Sequence, residues 1–550
     1  RHDSQAVLTD LERGNLFIVP LDNRREWYRY HRLFADLLRQ RLIGSISAAA
    51  IGDLHHRASV WFEQHNLLDE AIGQALIAPD YDRAAQLVEK HNQWLFQHSE
   101  LQTLADYTAA LPPAILNQRL PLLAMRGWAL LATGQYAEAA QVVKSIQQTA
   151  QVDDTSWARW YELTSQAQSA LLESSVMTMR FAIDQGDTDH TLSLAQHLLP
   201  RLNDDQQMWL YNPSYALRAP VRFMLGMAYE LRGNLPSAET EFRTATAEGA
   251  DNPHIVTLAI GHLGGVLMQQ GSLHAAADTY RQALKLAEEM GRYSSPFAGV
   301  AQVGYGNLLY EWNDLAAAQE QLQEGIALGQ SWNSWEAMIP GYLCLARVKQ
   351  ANADWDGASA ALDEMIDRNH GYLPTVPQQA DSLRAWLWLR QGRLDAVEHW
   401  AHDLELNSHQ EITYANENDL LLLAQLLIAQ DKLAEADQLL QKLAVATQNG
   451  GRCQRYLTAL LLRAIALTGL DRSREALQLV NAVLTQAEPE SYVRVFVDLG
   501  TEVAALLYRA IDHQPTSHYA QRLLSAFPTT DWAAPPDRGD ELIEPLSDRE

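Results

Sequence analysis

The sequence predicts an all-α protein built as a helical-repeat solenoid, and three observations carry that prediction. A short frame recurs along the chain: a turn residue, a small residue seven positions before it and an Ala five positions after it, clearest at Gly264, Gly271 and Ala276. From Gly233 onward the turn residues follow one another at intervals of 38, 42, 40, 39, 39 and 40 residues, and a period near 40 marks a repeat array. The chain also has 550 residues, 47% of them hydrophobic, whereas a single core seldom grows past about 250–300 residues. A solenoid escapes that limit because each repeat packs only on its neighbours.

The frame fits Gly127–Gly134–Ala139, Gly226–Gly233–Ala238, Gly306–Asn313–Ala318, Ala346–Ala353–Ala358, Ala424–Asp431–Ala436 and Ala464–Asp471–Ala476, with worn copies at Ala385–Gly392–Val397 and Met179–Gly186–Thr191. Small residues belong where two antiparallel helices joined by a short turn cross closely. Gly, Asn and Asp suit the turn because they tolerate a left-handed backbone. Within a repeat, Gly226, Tyr229, Gly233, Ala238, Phe242 and Ala245 fall where tetratricopeptide repeats place their signature residues, so the array resembles that family, wound as a right-handed superhelix. The family's period is about 34, and these repeats carry one to two extra helical turns.

Charge and cysteine content narrow the function classes. The formal net charge is −26; residues 1–46 hold eight Arg against six acids, which leaves 34 basic and 62 acidic residues beyond them. Such repeats should repel nucleic acid. Two cysteines, Cys344 and Cys453, offer at most one disulfide, which reads as a reducing compartment and a cytoplasmic protein. No run of eighteen apolar residues suggests a membrane span. The first residue is Arg1, so the chain reads as a piece of something longer.

Residues 1–46 do not follow the repeat. Leu16–Val19 reads as a strand, Asp22–Asn23 as a turn, Trp27–Tyr30 as the partner strand, and Leu33–Leu42 as a helix with Leu33, Leu37, Leu38 and Leu42 on one face. Arg24, Arg25, Arg29 and Arg32 read as a solvated wing. A hairpin feeding an amphipathic helix ends a winged-helix domain. With Leu11–Phe17 and Tyr30–Arg39, it resembles the large ATP-dependent, LuxR-type transcription regulators related to the maltose activator.

A helical connector follows over residues 47–115, where Asn66 and Ala71 repeat the turn frame and Tyr81 starts a helix after Pro79-Asp80. The regular array is expected over 116–490 and two capping helices over 491–528. Residues 529–550 read as a linker around Pro535-Pro536 that ends in Leu546-Ser547-Asp548-Arg549-Glu550. Those closing letters are similar to the opening of a LuxR-type helix-turn-helix.

The chain has no Gly-Lys pair and so cannot form a phosphate-binding loop. His55, His56, His91 and His98 lack metal-site spacing. No enzyme is read in this chain. The resemblance to tetratricopeptide arrays implies that the first helix of each repeat lines the inner wall, where the residue after the small position points inward. That makes Trp128, Met227, Asn307, Arg347 and Trp386 candidate ligand contacts, with Phe223 and Tyr310 on the same face. Aromatic, amide and guanidinium groups together suit a small ligand or peptide, although packing between turns of the superhelix would use them equally well.

The resemblance implies a signal-sensing segment that binds a small-molecule inducer or a regulatory protein. ATP or ADP would be handled by an upstream domain and DNA by a C-terminal one, with self-association of the active form; no cofactor is read in the chain itself. It further implies that His31, just before the last winged-helix helix, contacts the nucleotide phosphate, although Tyr30-His31-Arg32 departs from the family's Met-His-Asp. The rival reading is a free-standing adaptor for other proteins.

Overall fold

The computed structural model describes residues 4–14, 17–20, 28–97, 100–202, 217–250, 252–289, 297–331, 334–369, 373, 375–513 and 518–528. The expected turn Asp22–Asn23, and the expected linker and helix-turn-helix start over 529–550, lie outside the described residues. Two compact bodies divide the chain, Arg1–Ala129 and Leu130–Glu550.

In the first body, strands Ile18–Pro20 and Tyr28–Tyr30 pair antiparallel, with Ile18 opposite Tyr30. The helix Arg32–Ser45 follows, and Phe34 stacks on Phe17 at 5.0 Å. Leu33, Leu37, Leu38 and Leu42 are exposed on this helix. The connector is helical: Ala48–Gln64, Leu68–Ile77, Tyr81–Gln97 and Leu101–Ala109. Its one copy of the frame behaves as the repeats do, with Asn66 left-handed at φ 58° and Ala71 fully buried.

The second body is an all-α solenoid of antiparallel helix pairs. The pairs are Ser165–Asp184 with Thr188–Leu198, Arg218–Leu231 with Leu235–Glu248, Pro253–Gln270 with Leu273–Glu289, Ala298–Glu311 with Leu315–Ser331, Trp335–Ala351 with Trp355–Asn369, Thr375–Arg390 with Leu394–Asp403, Glu417–Ala429 with Leu433–Asn449, and Cys453–Gly469 with Ser473–Ala487. First helices of neighbouring repeats touch one another directly, as Pro253–Gln270 does Ala298–Glu311, and form the inner layer.

Backbone geometry explains the frame. All nine turn residues are left-handed: Gly134, Gly186, Gly233, Gly271, Asn313, Ala353, Gly392, Asp431 and Asp471, at φ between 59° and 88°. At each, the following N–H donates to the carbonyl five residues back at 2.8 or 2.9 Å, as Ser272 does to Leu267 and Asp354 to Lys349. This Schellman closure satisfies carbonyls that a helix end leaves unpaired. The small position is as tight as the sequence implies. A Cβ on Gly264 would sit 2.5 Å from the Tyr280 ring, and one on Gly226 would sit 2.5 Å from Phe242.

Ala353 is the one turn residue with neither glycine's freedom nor an Asn or Asp side chain. A left-handed conformation costs an L-residue roughly 1–2 kcal/mol, while glycine's extra freedom in the unfolded chain gives back roughly 0.5–1 kcal/mol. Ala353→Gly is therefore expected to raise stability by up to about 1 kcal/mol in urea unfolding; a loss would show that the turn is not strained.

The chain after the last repeat divides into Arg494–Val497, Thr501–His513 and His518–Ser525. The second of these packs on Ser473–Ala487, as a cap would. The first also reaches back to Ala298–Glu311.

Candidate functional site

The seven inner-wall candidates fall into distinct environments. Trp128 is half-buried on helix Leu120–Ala132 and belongs to the first body; the other six belong to the second. Phe223 is core, tilted on Phe242 at 5.9 Å and edge-on to His262 at 5.3 Å. Met227, four residues along the same helix, is also buried, while Asn307 is half-buried. Tyr310, Arg347 and Trp386 come together: the Arg347 guanidinium carbon lies 5.1 Å from the Tyr310 ring centre and 5.8 Å from that of Trp386. Three consecutive first helices supply these three residues. His31 stands apart in the first body, exposed at the start of helix Arg32–Ser45, with its backbone N–H donating to the Phe17 carbonyl at 2.6 Å.

Residues absent from the sequence-based set complete the cluster. Tyr310 Oη donates to Asp498 Oδ2 at 2.7 Å, and Arg347 Nη2 reaches the same oxygen at 3.4 Å. Arg494 pairs with Asp498 across one helical turn, donates to Asn313 Oδ1 at 3.2 Å, and lies 4.9 Å from the Tyr310 ring centre. Beneath them Glu311, only 2% exposed, accepts at Oε1 from Gln454 Nε2 at 2.5 Å. Its backbone carbonyl takes the Val493 N–H at 3.0 Å. The signal that could have exposed this half was an Arg and an Asp four apart, Arg494 and Asp498, in the otherwise apolar run Tyr492–Leu499.

Electrostatics follow from this burial. Tyr310 is pushed well above the ordinary phenol range by burial and then by the Asp498 carboxylate. Burial pushes Glu311 up to about 7; Arg347 opposes the shift, Asp498 adds to it, and Arg494 and Gln454 oppose it. Burial works against the charge of Arg347, yet Tyr310, Asp498 and Glu311 hold its pKa above the ordinary arginine range.

The cluster is one station on a longer seam, along which repeats distant in sequence meet. Arg180 pairs with Glu336. Tyr414 Oη donates to Gln269 Oε1 at 2.8 Å, and a Cβ on Gly233 would lie 2.6 Å from the Tyr414 ring. Arg452 reaches the Gly233 carbonyl at 3.5 Å. A Cβ on Gly271 would lie 2.6 Å from Cys453. Trp312 Nε1 donates to the Glu490 carbonyl at 3.0 Å. Glu417, fully buried, accepts from Arg452 Nε at 2.8 Å and Arg455 Nη1 at 2.7 Å, while the Arg455 guanidinium lies 4.6 Å from the Tyr414 ring centre.

Among the described residues, no group of three or more His, Cys, Asp or Glu could hold a metal ion, and no helix is long and apolar enough to cross a membrane. Chemically, this arrangement offers hydrogen-bond donors, two guanidiniums and aromatic faces.

Residues 173–513 match the family model described as the MalT-like TPR region, and residues 1–49 match the MalT winged helix domain. Among curated proteins, the chain is 25% identical over 543 residues to the HTH-type transcriptional regulator MalT of Yersinia pestis (strain Pestoides F), covering 95% of this chain and 56% of that protein. The namesake from Yersinia enterocolitica serotype O:8 aligns with the same identity and coverage. The chain thus spans about half the length of the curated relatives it matches. Among solved structures, a Rap protein complexed with competence and sporulation factor aligns at 11% identity with a TM-score of 0.49, over 68% of this chain and 99% of that one.

Proposed function

We propose, starting from the fact that this chain belongs to the MalT-like TPR family, that it is the sensing segment of a transcription activator and binds an inducer or a regulatory protein on its inner layer. One observation carries the reading. Arg347, with 32% of its side chain exposed, stands between the Tyr310 and Trp386 rings and is tied through Asp498 to the C-terminal helices. A ligand held there would touch both the wall and the contact that fixes the end of the array.

Ligand binding can favour one arrangement only through a difference in affinity between two, and the Asp498 contact provides that difference. The whole regulator would hydrolyse ATP in a separate domain, bind DNA through another, self-associate when active and work in the cytoplasm. This chain would be no enzyme. His31 would approach a nucleotide only with the rest of the regulator in place.

A ligand-library thermal-shift screen identifies the ligand, because binding to the folded state alone raises the melting temperature. With that ligand, Trp386→Ala is expected to lose roughly 1–3 kcal/mol of binding by calorimetry, as truncation at a hot spot does, with the urea midpoint unchanged. Unchanged affinity, or unfolding of the variant, would assign Trp386 to packing. A partner protein recovered in place of any small molecule would favour the adaptor reading.

A further inference from the structure

We propose that the Arg347–Trp386 face binds a small anionic effector, one presenting a carboxylate or phosphate beside a flat apolar part, and that the effector takes the place Asp498 holds on Tyr310 and Arg347. This rests on the sensing role above and narrows its ligand chemistry.

Hydrogen bonding supplies the first argument. A guanidinium offers five N–H donors in a planar fork that matches a carboxylate or phosphate. Among the described residues, Arg347 spends one of them on Asp498, at a long 3.4 Å. The Asp498 carboxylate already sits as an anion would, 2.7 Å from Tyr310 Oη. It is a resident group in a position that an incoming anion could fill with better geometry.

The second argument is charge. The buried Asp498 carboxylate is balanced by its own partner Arg494, which leaves the Arg347 guanidinium as the unbalanced charge beside a Glu311 carboxyl whose burial favours the neutral form. This local positive surplus stands in a chain of net charge −26. The overall field repels anions, so an anion held here is selected by short-range contacts rather than gathered by the whole surface. Trp386, half-buried beside Arg347, supplies a flat face for the apolar part of the ligand.

The third argument is the path of displacement. Asp498 and Arg494 lie four residues apart and pair with each other, so they can leave as a neutral couple. What departs with them is the strap from Tyr492 to Gly500, whose Val493 N–H is bonded to the Glu311 carbonyl. The bound effector and the seated strap are therefore alternatives at one position, and binding of the one releases the other.

Calorimetry on the whole chain with citrate, inorganic phosphate and neutral trehalose tests this, alongside hydrogen exchange of amides 491–500. Citrate or phosphate is expected to bind and to raise exchange in the strap. Asp498→Asn, which removes the resident anion, should tighten that binding at least tenfold. Arg347→Lys, which keeps the charge but loses the fork, should weaken it several-fold with an unchanged circular dichroism spectrum. Equal affinities for the native chain and Asp498→Asn, no anion binding to either, or binding without a change in strap exchange would each overturn the proposal. Trehalose binding that Trp386→Ala abolishes, with citrate and phosphate inert, would retain the sensing role and reject the anionic ligand.

Discussion

Replacing Glu417 by Ala is expected to lower the stability of the repeat body by about 3–5 kcal/mol, the cost of removing one partner from a buried ion pair. Glu417 is 0% exposed and is the shared acceptor for Arg452 and Arg455, whose side chains are only 11% and 20% exposed. Truncation leaves two guanidiniums desolvated around a cavity. Because Arg452 also reaches the Gly233 carbonyl and Arg455 the Tyr414 carbonyl, the loss should appear first as faster hydrogen exchange around the turn at Gly233. Urea unfolding at pH 7 gives the total. A change below about 1 kcal/mol would mean that Arg452 and Arg455 find water once the carboxylate is gone.

Glu311→Gln should act in the opposite direction. The Glu311 carboxyl is pushed from 4.5 up to about 7 by burial, with Asp498 adding and Arg347, Arg494 and Gln454 opposing. A folded-state pKa above the unfolded one means that the native state binds the extra proton. The stabilisation is then complete below about pH 4.5 and is lost as pH rises through 7. At pH 8 the native chain carries a buried charge costing about 3 kcal/mol. Gln, isosteric and neutral, avoids it. Stability measured at pH 8 should therefore rise by about that amount in Glu311→Gln, and the difference should shrink toward zero at pH 5. A gain independent of pH would trace to packing instead of ionisation.

Much of the fold was legible because its signal is local. A left-handed turn with its Schellman closure depends on residues within one repeat, so the frame located all nine turns, including the worn copies at Gly186 and Gly392. The seam was not legible, for it joins residues 143 to 219 positions apart that share no period. The sequence treats the turns at Gly233, Gly271 and Gly392 alike. In the structure a side chain on Gly392 would enter open space, whereas one at Gly233 or Gly271 would strike Tyr414 or Cys453. The grouping of Arg347 with Trp386 followed from one register rule applied to adjacent repeats. Asp498 and Glu311 did not, because nothing local says which wall a distant strap will meet. The first of the two capping helices expected over 491–528 divides for the same reason: the Tyr492–Gly500 stretch bonds to Glu311 and Tyr310 before Thr501–His513 returns to the last repeat.

An open solenoid can gain or lose a repeat at modest cost, since each contributes its own stability and one interface on either side. The seam removes that liberty. Tyr414 must arrive opposite Gly233, Cys453 opposite Gly271 and Val493 opposite Glu311, and each meeting counts the residues that lie between. Deleting the pair Thr375–Arg390 with Leu394–Asp403 would bring every later repeat one position early and place side chains against turns that have no room for them. The seam thus fixes how many repeats lie between one meeting and the next, and the array should melt as one piece instead of fraying repeat by repeat from an end.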